Sequence, residues 1–188
     1  IKDGVKRLRS DLKKDVIVQS RKNWIKASDS LLSPELFYYE YIKKYSDDDK
    51  LYLGIISEAY QYDIQDFFKK KWKKMSRSNL GKDLEDWEIN IQQQLTFLLN
   101  ALSSDNTLYS VCFDIKPLNT VINEIKDRNG KVVDYDVKLI DWDADWCVPL
   151  KERGTVKRTR RELELTGILS NMVMANHFHV QFGRNIFA

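Results

Sequence analysis

The sequence predicts an α+β fold in which short strands and helices follow one another and a β-hairpin lies in the second half of the chain. The nearly continuous apolar run Leu51–Ser57 indicates a buried strand. Leu84–Leu102 indicates a helix, and Asp127-Arg128-Asn129-Gly130 is a turn signal between two β-rich runs. A chain of 188 residues, of which 43% are hydrophobic, is long enough to form a core without disulfides.

The composition excludes several classes of function. Lys and Arg number 31 and Asp and Glu 28, so a net charge of +3 does not call for general binding to nucleic acid. The seven glycines form neither a Walker loop nor a Rossmann fingerprint. The two histidines, His177 and His179, do not form an H-E-x-x-H zinc motif, and we expect them to be structural.

Cysteine content and hydropathy indicate the compartment. Cys112 and Cys147 are too few for a disulfide framework, which favours a reducing compartment, the cytoplasm or the nucleus. No base is placed in the sequence to activate either thiol, so we expect both cysteines to be buried and structural. No apolar run reaches the eighteen or so residues that a membrane span needs, and no membrane association is predicted.

Other elements follow from local signals. Val16-Ile17-Val18 predicts a strand within Asp15–Ser20, and Ser33-Pro34-Glu35 predicts the start of a helix that continues to about Tyr45. Asp63 is predicted to cap a helix with an apolar stripe. The stripe consists of Ile64, Phe67, Phe68, Trp72 and Met75. A last helix is predicted over Glu162–Phe178.

The hairpin brings two oxygen ligands together. If Asn129 and Gly130 form a two-residue type I′ turn, Asn119 lies opposite Ile140, and Asn119 and Asp141 are neighbours. An amide oxygen and a carboxylate are ligands that Mg²⁺ accepts, with waters and phosphates completing its shell. The sequence therefore predicts a candidate metal site at this end of the hairpin.

An acid and a cation stand just before this pair. Asp114 and Lys116 lie in Phe113-Asp114-Ile115-Lys116-Pro117-Leu118-Asn119, and Pro117 disfavours a helical conformation at Lys116. We therefore expect a loop that offers an acid, a cation and an amide on one rim.

These motifs resemble those of the protein-kinase-like superfamily. Asp114–Asn119 resembles the catalytic loop of Ser/Thr protein kinases, and Val137–Asp143 resembles the strand that leads into their D-F-G motif. The resemblance implies a bilobal fold, with a reduced β-rich N-lobe and hinge at 1–60 and a mainly helical, shortened C-lobe at 61–188 that carries the catalytic hairpin.

The resemblance also implies roles for the four central residues in phosphoryl transfer from ATP to a protein Ser or Thr hydroxyl. Asp114 would orient or deprotonate the acceptor hydroxyl, and Lys116 would neutralise charge on the γ-phosphate. Asn119 and Asp141 would hold Mg²⁺.

Weaker matches concern the nucleotide. Leu53–Tyr60 resembles the fifth strand and hinge, with Ser57 at the gatekeeper position and Glu58 to Tyr60 as the linker against which adenine would lie. For the lysine that anchors ATP, the alternatives are Gln19 in its place, or Lys22 with Glu40 as its helix partner.

Departures from the family pattern leave other functions open. Cys112 and Phe113 replace the His and Arg of the catalytic loop, and Asp143 replaces the glycine of D-F-G. A pseudokinase or ATP-binding scaffold is one alternative. Because Ile140-Asp141-Trp142-Asp143 resembles aminoglycoside- and choline-kinase-like enzymes, a small-molecule phosphotransferase is another. The Lys-, Ile- and Tyr-rich character also resembles kinase-like proteins of large DNA viruses, which would allow a virion-associated location.

Overall fold

A computed structural model describes residues 14–43, 51–74, 83–101, 109–112, 115–143, 147–149, 172–179 and 186. They form a mixed α+β structure with small antiparallel sheets. The helices are α1 (Lys14–Asp29), α2 (Ile64–Trp72), α3 (Asp86–Ala101) and α4 (172–179), with a 3₁₀ turn at Pro117–Asn119. The strands are β1 (Leu36–Lys43), β2 (Leu51–Ser57), β3 (Tyr62–Asp63), β4 (Tyr109–Cys112), β5 (Thr120–Lys126), β6 (Val132–Leu139) and β7 (Cys147–Pro149).

The first two elements are the reverse of the prediction. The strand predicted at Asp15–Ser20 is part of helix α1, whose buried side chains include Ile17, Ser20, Asn23 and Ala27. Their spacing of three or four residues has the helical period, but two of the four are polar. The inward face therefore lacked an apolar stripe, and the β-branched run gave the wrong prediction.

The helix predicted from Ser33 to about Tyr45 is strand β1, which pairs antiparallel with β2. Tyr39 is 4% exposed and its neighbour Glu40 is exposed, as expected of a strand, in which successive side chains point to opposite faces. Phe37, which is 60% exposed, lies at a register shift between Leu36 and Tyr38. The aromatic and β-branched residues of β1 suit a sheet, and pairing with β2 outweighs the Ser-Pro start signal. The predicted strand Leu51–Ser57 is confirmed.

Helix α2 begins as predicted. Asp63 is extended, and its carboxylate accepts a hydrogen bond from the backbone N–H of Asp66 at 2.8 Å. Ile64, Phe67, Phe68 and Trp72 are buried, which confirms the predicted stripe; Met75 lies outside the described residues.

The other predicted helices are confirmed where the structure describes them. Helix α3 lies within the predicted range Leu84–Leu102 and buries Ile91, Leu95 and Leu98. Residues 172–179 are helical, as predicted for that part of Glu162–Phe178. None of the helices in the described ranges combines the length and apolar character needed to cross a membrane.

The hairpin β5–β6 has the predicted register, although its turn differs from the prediction. Only Gly130 has a positive φ there, 79°, and Asp127 N–H donates to Lys131 O at 2.9 Å. The turn is thus a three-residue loop with glycine in the left-handed position, not a two-residue type I′ turn. A register shift between Ile125 and Lys126 compensates for the longer loop, so Thr120 lies opposite Leu139.

Among the described residues, one cluster of buried side chains joins the hairpin to helices α1 to α4. Hairpin residues Ile122, Val137 and Leu139 pack with helix α2 and helix α3. Phe178 of α4 and Trp142, which follows the hairpin, belong to the same cluster. The core therefore supports the end of the hairpin where Asn119 and Asp141 lie.

Candidate active site

Asn119 and Asp141 meet at the end of the hairpin, as predicted. Asn119 Nδ2 donates a hydrogen bond to Asp141 Oδ2 at 3.0 Å, and the backbone N–H of Ile140 donates to Asn119 O at 2.9 Å. Asn119 is 9% exposed. The site thus places an amide and a carboxylate side by side on a buried support.

The loop before Asn119 is shaped by Pro117. Lys116 is extended, as expected for a residue that precedes proline, and Pro117–Asn119 forms one 3₁₀ turn. Lys116 O accepts hydrogen bonds from Asn119 N–H at 2.9 Å and from Thr120 Oγ1 at 3.2 Å. These bonds fix the segment that carries the Lys116 side chain. Asp114 lies outside the described residues.

Asp141 has φ = 70°, in the left-handed region that non-glycine residues rarely occupy. Hydrogen bonds hold the segment on both sides of this residue. The backbone N–H of Ile140 donates to Asn119 O, and Trp142 O accepts a hydrogen bond from Asn23 Nδ2 at 3.3 Å. Trp142 is 2% exposed and its indole N–H donates to Leu139 O at 3.2 Å. These contacts maintain a strained conformation that presents the Asp141 carboxylate to Asn119.

Sequence reasoning missed Asn23. It is fully buried on α1 and also accepts a hydrogen bond from Gln19 Nε2 at 2.8 Å. Because a carbonyl only accepts, the bond to Trp142 O identifies which end of the Asn23 amide is the nitrogen. The signal available was a polar residue on the inward face of a helix, but the sequence predicts a strand at Asp15–Ser20 and no helix around Asn23.

A cavity of about 260 Å³ lies beside this site. Ser57 at the end of β2 and Glu58 and Tyr60 of the following linker line it, as do Val121 of β5 and Ile140, which follows β6. Trp24, Pro34, Gln61, Tyr62 and Asp63 complete the lining. The structure therefore brings the predicted linker residues next to the residue that precedes Asp141.

The linker is tied to the hairpin by hydrogen bonds. Tyr60 Oη donates to Asp136 Oδ2 at 2.6 Å, and Gln61 N–H donates to Asn123 Oδ1 at 2.7 Å. Burial raises the pKa of Tyr60, and the hydrogen bond to Asp136 and the negative charge of Glu58 raise it further. Tyr60 therefore remains a protonated donor, which holds one wall of the cavity in place.

The predicted pair of Lys22 with Glu40 is not the one that the structure shows. Lys22 lies on the exposed side of α1, and the ion pair of Glu40 on β1 is with Arg21, at 3.5 Å between Arg21 Nη1 and Glu40 Oε1. Both side chains of that pair are about half exposed, so it contributes little to stability. Gln19, the alternative position, also lies on α1. Both alternatives assumed a strand near Gln19 and Lys22 and a helix that carries Glu40. The structure instead has helix α1 and strand β1 at these places.

No protein-family model matches the chain, and no curated protein matches it.

Proposed function

We propose that the chain is a protein-kinase-like phosphotransferase that moves the γ-phosphoryl group of ATP to a Ser or Thr hydroxyl of a protein. The observation that carries the proposal is the 3.0 Å contact between Asn119 and Asp141, next to a cavity lined by the linker. Protein kinases hold Mg²⁺ with an Asp and an Asn placed in this way along the chain.

The order of elements supports the same proposal. Helix α1, strands β1 and β2, a linker, two helices and a hairpin follow one another. In protein kinases the helix that carries the partner of the ATP-anchoring lysine comes after that lysine. If α1 takes the place of that helix, neither Gln19 nor Lys22 occupies the position of the anchoring lysine. The division into an N-lobe at 1–60 and a C-lobe at 61–188 is part of this proposal.

The residues of the site fit a magnesium nucleotide. Asn119 Oδ1 and a carboxylate oxygen of Asp141 are hard oxygen donors, and phosphate oxygens and waters would complete the coordination. Bound Mg²⁺ would neutralise charge on the phosphates and orient them. ATP would place its adenine in the cavity beside Glu58 and Tyr60.

The remaining steps belong to the loop. Asp114 would accept a hydrogen bond from the acceptor hydroxyl and take its proton as transfer proceeds. Lys116 would bring positive charge to the transferring phosphoryl group. Positioning and charge neutralisation account for most of the catalysis of such a transfer, so a few well-placed side chains suffice. The acceptor is proposed to be a protein in the cytoplasm or nucleus.

Phosphate transfer tests the proposal directly. The chain, incubated with Mg²⁺ and γ-labelled ATP, should label a generic basic protein. Asp114→Asn should reduce the rate by roughly 100-fold or more, because the base is lost while the shape is kept. Asp134→Asn on the hairpin is the matched control and should retain the rate. Transfer that survives Asp114→Asn would remove Asp114 from its role.

The outcome of this assay also separates the alternatives. Transfer to an aminoglycoside or to choline, with none to protein, would identify a small-molecule phosphotransferase. Nucleotide binding without any transfer would identify a scaffold.

Nucleotide binding is measured separately by the melting temperature. Mg²⁺ and ATP at about 100 times the Kd should raise Tm by roughly 5 to 10 °C. Asn119→Ala and Asp141→Asn should remove the part of the shift that depends on Mg²⁺ and leave the metal-independent part. A Tm that does not respond to saturating nucleotide would contradict both the kinase and the scaffold.

A further inference from the structure

The two cysteines of the chain occupy opposite positions in one strand pair. Strand β4 pairs antiparallel with β7, and the register places Cys112 directly across from Cys147. Val111 lies across from Val148 in the adjacent pair, so the ladder is regular where the cysteines stand. Residues 35 positions apart in the sequence thus become neighbours. The sequence predicts both to be buried structural cysteines and does not predict this pairing.

This register suits a disulfide. Residues directly opposite in an antiparallel pair have Cα atoms about 4.5 to 5.5 Å apart. A disulfide requires Cα atoms about 4.4 to 6.8 Å apart. The backbone of β4 and β7 therefore places the two residues within bridging distance.

We propose that Cys112 and Cys147 form a reversible intramolecular disulfide, so that this strand pair is a site of oxidative modification. The oxidant is a peroxide or a low-molecular-weight disulfide such as oxidised glutathione. With peroxide, one thiolate attacks a peroxide oxygen, the O–O bond breaks, and a sulfenic acid forms while hydroxide leaves and takes a proton from solvent to become water. The second thiol then displaces that oxygen as water, which forms the S–S bond.

With glutathione disulfide the electrons balance through exchange. One thiolate attacks a glutathione sulfur and releases one glutathione, which leaves a mixed disulfide. The second thiolate attacks the protein sulfur of that mixed disulfide and releases the other glutathione. Two thiols are oxidised and one glutathione disulfide is reduced.

The bridge would join two segments of the candidate active site. Cys112 is the last residue of β4, two positions before Asp114, and Cys147 is the first residue of β7, six positions after Asp141. The bond would close a loop that contains the whole hairpin β5–β6. Closing such a loop restricts the unfolded chain, so oxidation should stabilise the fold.

The modification fits a reducing compartment, where disulfides are transient and respond to oxidants. It requires only the two cysteines and their backbone register. It does not rest on the proposed phosphotransfer, so either proposal can fail while the other holds.

Oxidation of the native chain tests the proposal. Treatment with a small excess of hydrogen peroxide, or with oxidised glutathione, should remove both titratable thiols and lower the mass by about 2 Da. Tryptic mapping without reductant should recover the peptides of Cys112 and Cys147 joined, and reduced glutathione should restore both thiols. Sulfinic acids, stable glutathione adducts or dimers, with no internal link, would overturn the proposal.

A comparison of native and unfolded protein tests whether the fold is what places the cysteines together. The equilibrium constant for disulfide formation with glutathione should be at least about tenfold larger in native buffer than in 6 M guanidinium chloride. An equal or smaller constant in native buffer would show that the register does not favour the bond.

Cys112→Ser and Cys147→Ser serve as matched variants, since each leaves one thiol. Oxidation should raise the Tm of the wild-type chain and leave the Tm of both variants unchanged. An equal rise in a variant would contradict an internal bridge. If a variant does not fold, the peptide map and the guanidinium comparison decide the question with the wild-type chain alone.

Discussion

At the scale of single residues, the fully buried side chain of Glu88 connects two helices. Its Oε1 accepts a hydrogen bond from the indole N–H of Trp72 on α2 at 2.7 Å. Its Oε2 accepts a hydrogen bond from the backbone N–H of Glu85 at 2.8 Å, which satisfies a donor at the start of α3. The side chain therefore caps its own helix and anchors the neighbouring one.

Replacing Glu88 should be costly. Glu88→Ala removes both bonds and leaves the Trp72 indole N–H buried without this acceptor, so we expect the free energy of unfolding to fall by about 3 kcal/mol. Urea unfolding measures the change. Glu85→Ala is the control, because Glu85 is exposed and its carboxylate accepts a solvent-exposed hydrogen bond from the Trp87 indole N–H; its cost should stay near 0.5 kcal/mol. Equal losses in the two variants would contradict a special role for Glu88.

At the scale of helices and strands, an ion pair connects helix α2 with strand β5. Lys71 Nζ lies 2.7 Å from Glu124 Oε1, and the Glu124 side chain is only 13% exposed. Burial by itself would raise the pKa of Glu124, but the hydrogen bond from Lys71 and the charges of Lys71 and Lys126 outweigh it and lower the pKa below its usual 4.5. The carboxylate is thus held ionised in the folded protein.

The lowered pKa predicts how stability depends on pH. The pair contributes its full stabilisation above about pH 4.5, where the unfolded chain is also ionised, and loses it as the pH falls through the lowered pKa. Glu124→Gln should cost about 1 kcal/mol at pH 7, and this difference should shrink below pH 4.5. Urea unfolding from pH 3 to pH 8 measures it.

The control for this prediction is an exposed pair. Asp66→Asn removes the contact between Lys69 and Asp66, whose side chains are 52% and 67% exposed, and should change stability little at any pH. A difference for Glu124→Gln that persists unchanged at pH 3 would show that the pair's charge is not responsible.

Element types were predictable where local signals agreed with packing. Asp63 and the apolar stripe behind it specified α2 without help from the rest of the fold. Helix α1 was not predictable in this way, because its inward face includes Ser20 and Asn23. For β1, the Ser-Pro signal favoured a helix while pairing with β2 favoured a strand, and pairing prevailed.

At the scale of the whole molecule, a cluster of aromatic side chains connects parts of the chain that are distant in the sequence. Phe68 is fully buried, and its ring centroid lies 4.8 Å from that of Phe178, 4.5 Å from Trp72 and 5.5 Å from Trp87. Helices α2, α4 and the start of α3 therefore share one packed group of rings. These contacts stabilise the fold by burial, and the Phe68–Phe178 pair also has edge-to-face geometry, with its ring planes 76° apart.

Removing one ring should destabilise the whole fold. Phe178→Ala is expected to lower the free energy of unfolding by about 3 to 5 kcal/mol, because it leaves a cavity among well-packed rings. Met172→Ala on the same helix is the control, since Met172 is 61% exposed, and should cost less than about 0.5 kcal/mol. Chemical unfolding monitored by tryptophan fluorescence measures both. A small loss for Phe178→Ala would mean that α4 does not contribute to the common core.

The sequence by itself determined the elements and contacts that depend on short stretches of chain: the strand at Leu51–Ser57, the helix that starts at Asp63, and the meeting of Asn119 with Asp141. In the hairpin, the turn at Gly130 sets which residues of the two strands face each other. The loop is one residue longer than expected, but the register shift between Ile125 and Lys126 offsets that residue, so the predicted pairing holds at Thr120 and Leu139.

Only the tertiary structure decided which segments from distant parts of the sequence meet. The bond from Asn23 to Trp142, the pair of Arg21 with Glu40, and the register of Cys112 with Cys147 join positions that no local pattern relates. Periodicity and turn chemistry act over a few neighbouring residues, whereas these contacts depend on how complete helices and strands pack together.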